Sequence, residues 1–178
     1  MSDFHFEKFS PDMAAASREA WVKEANEGLA FVTEIQRLFD WVDTHQDISS
    51  NDSVAFGIFD KKKQEALGIC EITIQRRTIR SKWVKMLRLH LRPSIDLGLQ
   101  EGESDKAMDV FVEAMQGSIG LQLIHQANTL KVYGRTNEQL NFLKALLVRL
   151  QAQLPSDKSV KASIEGRFLT FSVSAPKD

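Results

Sequence analysis

Residues 83–93 read WVKMLRLHLRP, and the rest of the chain is most easily interpreted outward from this stretch. From Leu87 onward, leucines alternate with Arg88, His90 and Arg92, which is the period of two that is typical of a β-strand. Pro93 ends the pattern because its ring nitrogen has no hydrogen to donate to a sheet. The stretch therefore predicts a strand with an apolar face and a basic face.

The segments before this strand predict two further strands. Val54–Phe59 and Leu67–Ile74 are rich in β-branched and aromatic residues, and the polar residues 60–66 between them have turn composition. Successive strands with short links form an antiparallel meander, so we expect these strands and Trp83–Arg92 to be neighbours.

The first 45 residues predict a short strand and two helices. Phe4, Phe6 and Phe9 indicate the strand, and Ser10-Pro11-Asp12 is a helix start with a capping hydroxyl and a proline in the first turn. Apolar residues at three- and four-residue steps then continue to Val42. Gly28 divides the segment into two helices, although one long helix that tolerates this glycine remains open.

The remaining elements follow Pro93. We expect a loop over Ser94–Glu103, a helix from Ser104, a strand over Thr129–Tyr133, a helix over Glu138–Leu154, and a hairpin of Val160–Ile164 with Phe168–Val173. The helix from Ser104 is expected to bury Met108, Phe111, Val112, Met115 and Ile119, with Gly117 and Gly120 weakening it midway. The order β-α-α-β-β-β-α-β-α-β-β predicts an α+β fold, a mixed, mostly antiparallel sheet flanked by helices, over one domain of residues 1–178.

Composition limits the classes of protein that fit. The chain has 178 residues and 43% hydrophobic residues, enough for a core without a metal or disulfide staple. Its single cysteine, Cys70, lies in a predicted strand and is expected to be a small buried hydrophobe. No apolar run approaches the length of a membrane span and the N-terminus lacks a signal-peptide core, so we expect a soluble cytoplasmic protein with no membrane partner.

Balanced totals of 23 basic and 24 acidic residues conceal a segregation of charge. Seven basic residues and no acid lie between Gln75 and Arg92, whereas five acids and one lysine lie between Asp96 and Asp109. The basic block is consistent with a local anion site or with a solvated strand edge. Nucleic acid is disfavoured as a partner, because Trp83 is the only aromatic residue in the block and the total charge is near zero.

Several catalytic and ligand-binding motifs are missing. The four histidines, His5, His45, His90 and His125, are too far apart to predict a metal site. The sequence contains neither GxxxxGK[ST] nor a GxGxxG after a strand. Residues 116–120, QGSIG, lack the first glycine of a nucleophile elbow. We therefore expect no metal, and a hydrolase, a P-loop enzyme and a classical dehydrogenase are poor candidates.

The element order, together with LRLHLRP at Leu87–Pro93 and YGRTN at Tyr133–Asn137, resembles the GNAT superfamily of acyl-CoA N-acyltransferases. The resemblance covers the chain from Phe4 to Val173. It implies transfer of an acyl group from acyl-CoA or acetyl-CoA to an amine of a small molecule or protein. In that family the backbone of the fourth strand pairs with the pantetheine arm.

The resemblance also implies candidate site residues. The positions that match the pantetheine-binding strand are Leu89, His90 and Leu91, and Arg92 and Asn137 join them as candidate cofactor contacts. Glu71 and His90 are candidates for the base that deprotonates the amine, although Glu71 also fits an outward residue on an alternating strand. The family's usual general-acid tyrosine is absent, since Leu143 and Lys144 occupy its neighbourhood. Tyr133, the only tyrosine, lies earlier, on the predicted strand, and is a further catalytic candidate.

One departure from the family keeps a second function open. The family's pyrophosphate loop, [QR]xxGx[GA], is absent, and the acidic residues 95–104, IDLGLQEGES, follow the fourth strand instead. Carboxylates beside a pyrophosphate repel it. The alternative is a non-catalytic GNAT-like binding or regulatory protein without a working CoA site, for which a homodimer is a candidate assembly.

Overall fold

The computed structural model describes residues 4–47, 53–62, 64–75, 82–102, 105–151 and 160–173. In chain order the elements are β1 (Phe4–Lys8), α1 (Pro11–Glu24), a π-helical turn (Ala25–Leu29), α2 (Val32–Thr44), β2 (Ser53–Asp60), β3 (Ala66–Ile74), β4 (Trp83–Leu91), α3 (Pro93–Gln100), α4 (Asp105–Ile124), β5 (Thr129–Tyr133), α5 (Asn137–Gln151), β6 (Val160–Glu165) and β7 (Phe168–Val173).

The strands form a seven-stranded sheet in the order β1-β2-β3-β4-β5-β7-β6. β4 and β5 run parallel, whereas β1 with β2, β5 with β7 and β6 with β7 are antiparallel. The predicted α+β class and mostly antiparallel sheet are confirmed. The predicted order lacked one element, because residues 93–100 form the helix α3 and not a loop.

The chain divides into two compact units. The first comprises Met1–Glu71 and Leu89–Gly117, and the second comprises Ile72–Arg88 and Ser118–Asp178. A single domain over residues 1–178 stays a prediction.

In the first unit, two helices enclose an aromatic core. The amide of Met13 donates to the Ser10 hydroxyl at 3.2 Å, which confirms the predicted cap of α1. Gly28 adopts a φ of 89°, a conformation that glycine reaches without strain, and it separates α1 from α2 as the two-helix interpretation requires. Trp21 is fully buried, and its indole N–H donates to the carbonyl oxygen of Ala66 at 2.7 Å, which ties α1 to the start of β3.

In the second unit, β5, β7 and β6 follow the predicted hairpin. Thr129 to Tyr133 pair with Ser172 to Phe168, and Gly166 turns the hairpin with a φ of 61°. Alternate side chains are buried, including Leu130, Val132, Leu169 and Phe171. One face of this part of the sheet is therefore apolar and the other carries the intervening residues.

Helix α4 corrects one expectation, the set of residues on its buried face. It continues through both glycines from Asp105 to Ile124. A methyl group at Gly117 would overlap the ring of Phe6, so this glycine permits close packing of the helix on the N-terminal strand. The expected buried face was wrong in part, since Val112 and Ile119 are 38% and 39% exposed. Met115 is buried as expected, and the helix also buries Val110, Ala114, Ser118 and Leu121.

Candidate functional site

Helix α3 begins directly after β4, where the family resemblance would place the pyrophosphate loop. The backbone N–H of Ser94 donates to Glu24 Oε2 at 3.0 Å, and the Ser94 hydroxyl lies 3.2 Å from Glu24 Oε1. Glu24 is the last residue of α1, 70 positions away in sequence. A carboxylate at the positive end of a helix is favourable. The first turn of α3 is therefore capped by a side chain from another helix.

Arg92 lies between two carboxylates at the same place. Its Nε is 2.7 Å from Glu24 Oε1 and its Nη1 is 2.7 Å from Glu65 Oε2. The side chains of Arg92 and Glu24 are only 16% and 15% exposed. Burial lowers the pKa of Arg92, but hydrogen bonds to Glu65 and Glu24 and the charges of these carboxylates outweigh burial and raise it above its usual value. The guanidinium is thus charged and already paired.

The end of β4 packs closely on β3 and on the first half of α4. A Cβ atom at Gly68 would lie 2.8 Å from Val110 Cγ1, 3.2 Å from Leu89 Cδ1 and 3.4 Å from the His90 carbonyl oxygen. Leu89, His90 and Leu91 are each half-buried. The lack of a side chain at Gly68 therefore lets β3 approach the strand segment for which the pantetheine arm was predicted.

The predicted base Glu71 is half-buried on β3, and the hydroxyl of Ser53 donates to its Oε1 at 3.3 Å. Its side chain is therefore neither fully outward-facing nor enclosed in the core. Glu71, His90 and Arg92 all belong to the first unit. Their joint use in catalysis stays a prediction.

Pairing between β4 and β5 stops before either strand ends. Trp83 to Met86 pair with Thr129 to Val132, whereas β4 continues to Leu91 and β5 to Tyr133. Where two parallel strands cease to pair, their backbone groups become available to another partner. The last residues of β4, Leu89 to Leu91, are those for which the family resemblance predicted a pantetheine contact, and that contact stays a prediction.

Tyr133 and Asn137, which lie in the second unit, are held by neighbours that the sequence did not reveal. The Tyr133 ring packs against Phe168 with 5.0 Å between ring centroids. Asn137 accepts from Arg167 Nη1 at 3.4 Å, and Arg167 also donates to the carbonyl oxygens of Gly134 and Arg135. Arg167 thus fixes the turn between β5 and α5. No local sequence signal indicates this role, because Arg167 lies 30 residues or more along the chain.

The remaining expectations concern the basic block, a metal site, a membrane span and Cys70. Arg76, Arg77 and Arg80 of the basic block lie outside the described residues. Within the described ranges, no group of three or more histidine, cysteine, aspartate or glutamate side chains could hold a metal ion. No helix in those ranges is long and apolar enough to span a membrane. Cys70 is fully buried as predicted, and burial raises the pKa of its thiol.

Comparison with known proteins identifies the fold. No protein-family model and no curated protein matches the sequence. Among solved structures, AtaTR bound with AcCoA matches with 14% identity, 97% coverage of this chain, 94% of that chain and a TM-score of 0.50. A point mutant of the AtaT toxin matches with 13% identity, coverages of 97% and 91%, and a TM-score of 0.50. The chain has a divergent GNAT fold.

A further match is a GNAT family acetyltransferase from Brucella melitensis in complex with acetyl-CoA. Its identity is 12%, its TM-score is 0.46, and the match covers 98% of this chain and 91% of that one. At these identities the likeness concerns the fold alone. In this chain, Glu24 accepts from the Ser94 amide at the start of the helix after β4.

Proposed function

We propose that this protein transfers an acyl group from a pantetheine thioester such as acyl-CoA to an amine, and that it holds the donor along β4 without anchoring the diphosphate. The GNAT fold supports acyl transfer as the class of reaction. The observation that carries the second half of the proposal is the contact of the Glu24 carboxylate with the Ser94 amide.

Charge explains why the diphosphate would lack an anchor. A phosphate at a helix start is stabilised by free N–H groups and the helix dipole, but here Glu24 accepts from the Ser94 N–H at 3.0 Å. The cluster contains one positive charge, Arg92, and two negative charges, Glu24 and Glu65. A further anion about 5 Å from an uncompensated carboxylate is repelled by about 3 kcal/mol at an effective dielectric constant near 20.

The proposed reaction needs few groups. The amine nitrogen attacks the thioester carbonyl carbon and loses a proton to a base. The carbon–sulfur bond then breaks, and the departing thiolate takes up a proton. His90 or Glu71, both in the first unit, would serve as the base, whereas the predicted acid Tyr133 belongs to the second unit. Backbone groups of Leu89 and Leu91 would hold the pantetheine arm.

The test compares two donors by isothermal titration calorimetry. Acetyl-CoA and S-acetyl-pantetheine share the thioester and the arm, but only acetyl-CoA carries the diphosphate and nucleotide. We expect their dissociation constants to agree within about twofold, since 1.4 kcal/mol of diphosphate binding would already separate them about tenfold. Acetyl-CoA binding at least tenfold more tightly would contradict the proposed absence of an anchor.

Two variants sharpen the comparison. Glu24→Gln removes the competing charge and is expected to strengthen acetyl-CoA binding without changing S-acetyl-pantetheine binding. Asp43→Asn, which removes an exposed carboxylate on α2, is the matched control and is expected to change neither. For chemistry, His90→Ala is expected to lower thiol release from acetyl-CoA in the presence of amines while leaving donor binding intact.

The second candidate is a non-catalytic binding or regulatory protein with the same fold. The same Glu24 contact favours it, because a chain that supplies its own anion at the helix start has no need of a ligand there. Failure of the wild-type protein to bind either thioester at millimolar concentration would favour this candidate and overturn acyl transfer.

A further inference from the structure

One sheet face of the second unit is half-buried over most of its central strands and carries basic and aromatic side chains. Strands β4, β5, β7 and β6 pair in register, so Lys85, Lys131, Thr170 and Ser163 form one row across the sheet. The side chains on the same face of the flanking rows include Trp83, Tyr133 and Phe168, each half-buried. The opposite face is apolar and buried, and Met86 on it contacts the Ser118 hydroxyl of α4.

Two lysines in this row lie directly beside each other. Lys85 and Lys131 are register partners on adjacent strands, and like charges in such positions destabilise a sheet. Lys131 Nζ lies 3.3 Å from Glu165 Oε2, so its charge is partly compensated. No carboxylate of the described residues forms an ion pair with Lys85. Among the described residues, Glu165 is the one acid that pairs with these lysines, so the pair keeps a net positive charge.

Aromatic rings position both ammonium groups. Lys85 Nζ lies 4.0 Å from the centre of the Trp83 ring and 5.7 Å from that of Phe168. Lys131 Nζ lies 5.9 Å from the centre of the same Phe168 ring. Cation–π attraction at these distances orders the two side chains without neutralising them. The two cations thus converge on one ring, and Lys85, which has no carboxylate partner among the described residues, keeps its full charge for a ligand.

Thr170 supplies an independent observation. It is the next residue in the row after Lys131 and is only 2% exposed, yet its hydroxyl has no hydrogen-bond partner. Burial of an unpaired hydroxyl is unfavourable, and most buried polar groups in folded proteins are paired. A donor without an acceptor, beside two lysines, indicates that an acceptor-rich group completes the row.

We propose that Lys85, Lys131 and Thr170 form a binding site for a phosphate group. Phosphate offers several acceptor oxygens and a double negative charge, which matches two ammonium groups and one hydroxyl better than a carboxylate does. Binding would relieve the repulsion between the lysines and satisfy Thr170. The proposal is independent of the proposed acyl transfer, because all of its residues lie in the second unit and Glu24 and Arg92 lie in the first.

The experiment is a calorimetric titration of the full chain with inorganic phosphate at low ionic strength. We expect the double variant Lys85→Ala/Lys131→Ala to bind phosphate at least tenfold more weakly than the wild type. Lys144→Ala removes one exposed lysine from α5 and is the matched control, expected to bind like the wild type. Equal affinities of the double variant and this control would overturn the site, as would absence of phosphate binding to the wild type.

Thr170→Val separates a ligand role from a structural one. Valine has a similar shape but no hydroxyl, so we expect weaker phosphate binding and an unchanged or higher melting temperature. A lower melting temperature with unchanged phosphate affinity would assign Thr170 to structure alone and contradict its place in the site.

The source of the phosphate is tested in a second arm with a ten-residue oligothymidylate. Tighter binding of the oligonucleotide than of inorganic phosphate, lost in the double lysine variant, would identify a nucleic-acid backbone as the source. Weaker binding would exclude a nucleic-acid backbone and leave the phosphate group of a small molecule as the source.

Discussion

Replacing Glu24 by glutamine tests the cluster at the start of α3. The carboxylate accepts three hydrogen bonds: one from Arg92 Nε at 2.7 Å, one from the Ser94 N–H at 3.0 Å and one from the Ser94 hydroxyl at 3.2 Å. Glutamine keeps one acceptor oxygen, but its NH₂ group cannot accept. The variant therefore loses the charge and at least one of these hydrogen bonds, while its volume is nearly unchanged.

The expected loss of unfolding free energy depends on the burial of the Arg92–Glu24 ion pair and on the partner that Arg92 keeps. Breaking a fully buried ion pair costs about 3–5 kcal/mol, but Arg92 is 16% exposed and keeps Glu65 at 2.7 Å. A hydrogen bond to a charged group contributes about 1.5–3 kcal/mol. We expect Glu24→Gln to lower the free energy of unfolding by about 2–3 kcal/mol, because one strong charged interaction is lost and a second persists.

The assay is urea-induced unfolding followed by circular dichroism. The control is Asp43→Asn, which removes a surface ion pair with Arg18. The Asp43 side chain is 47% exposed, and ion pairs at such positions contribute about 0–1 kcal/mol. A loss for Glu24→Gln no greater than that of the control would refute the view that Glu24 holds α3 in place.

Three further predictions concern single positions. Gly117→Ala is expected to lower the free energy of unfolding by about 1–3 kcal/mol, because the new methyl group overlaps Phe6. Gly120→Ala places its methyl group in open space and should raise the free energy of unfolding by about 0.5–1 kcal/mol. Urea unfolding of both variants measures these changes. Cys70 should resist alkylation until the chain unfolds. Burial raises the pKa of its thiol above the ordinary 9.0, so the unfolded chain loses this proton first as pH rises. The free energy of unfolding should therefore fall above about pH 9, and this fall should be absent in Cys70→Ala. Thr136→Ala removes the hydroxyl that caps α5 at 3.2 Å from the Gln139 amide and should cost about 1 kcal/mol in the same assay, with an unchanged value contradicting the cap.

Local chemistry accounts for what could be predicted. The cap at Ser10, the break at Gly28 and the hairpin around Gly166 each depend on a residue and its near neighbours, and all three are confirmed. The strands were predictable for the same reason, since alternation along a strand follows from the backbone itself. These signals were sufficient to predict the α+β class and the GNAT resemblance.

Helix α3 was missed because its cap is remote. Residues 93–100 contain two features of a loop, a proline at the start and a glycine at position 98. The carboxylate that satisfies the Ser94 N–H comes from Glu24 at the end of α1. Sequence patterns report local preferences, whereas this helix start depends on a contact between distant residues.

The basic block shows the same limit of prediction from sequence. From the sequence alone, the basic block could be located between Gln75 and Arg92, and nucleic acid was disfavoured because only Trp83 accompanied it. Strand register then places Tyr133 and Phe168 on the face that carries Lys85 and Lys131. Composition and periodicity thus determined the fold class, the buried cysteine and the strand alternation. Only tertiary structure decided which charges meet, because strand pairing and helix packing join residues that are dozens of positions apart.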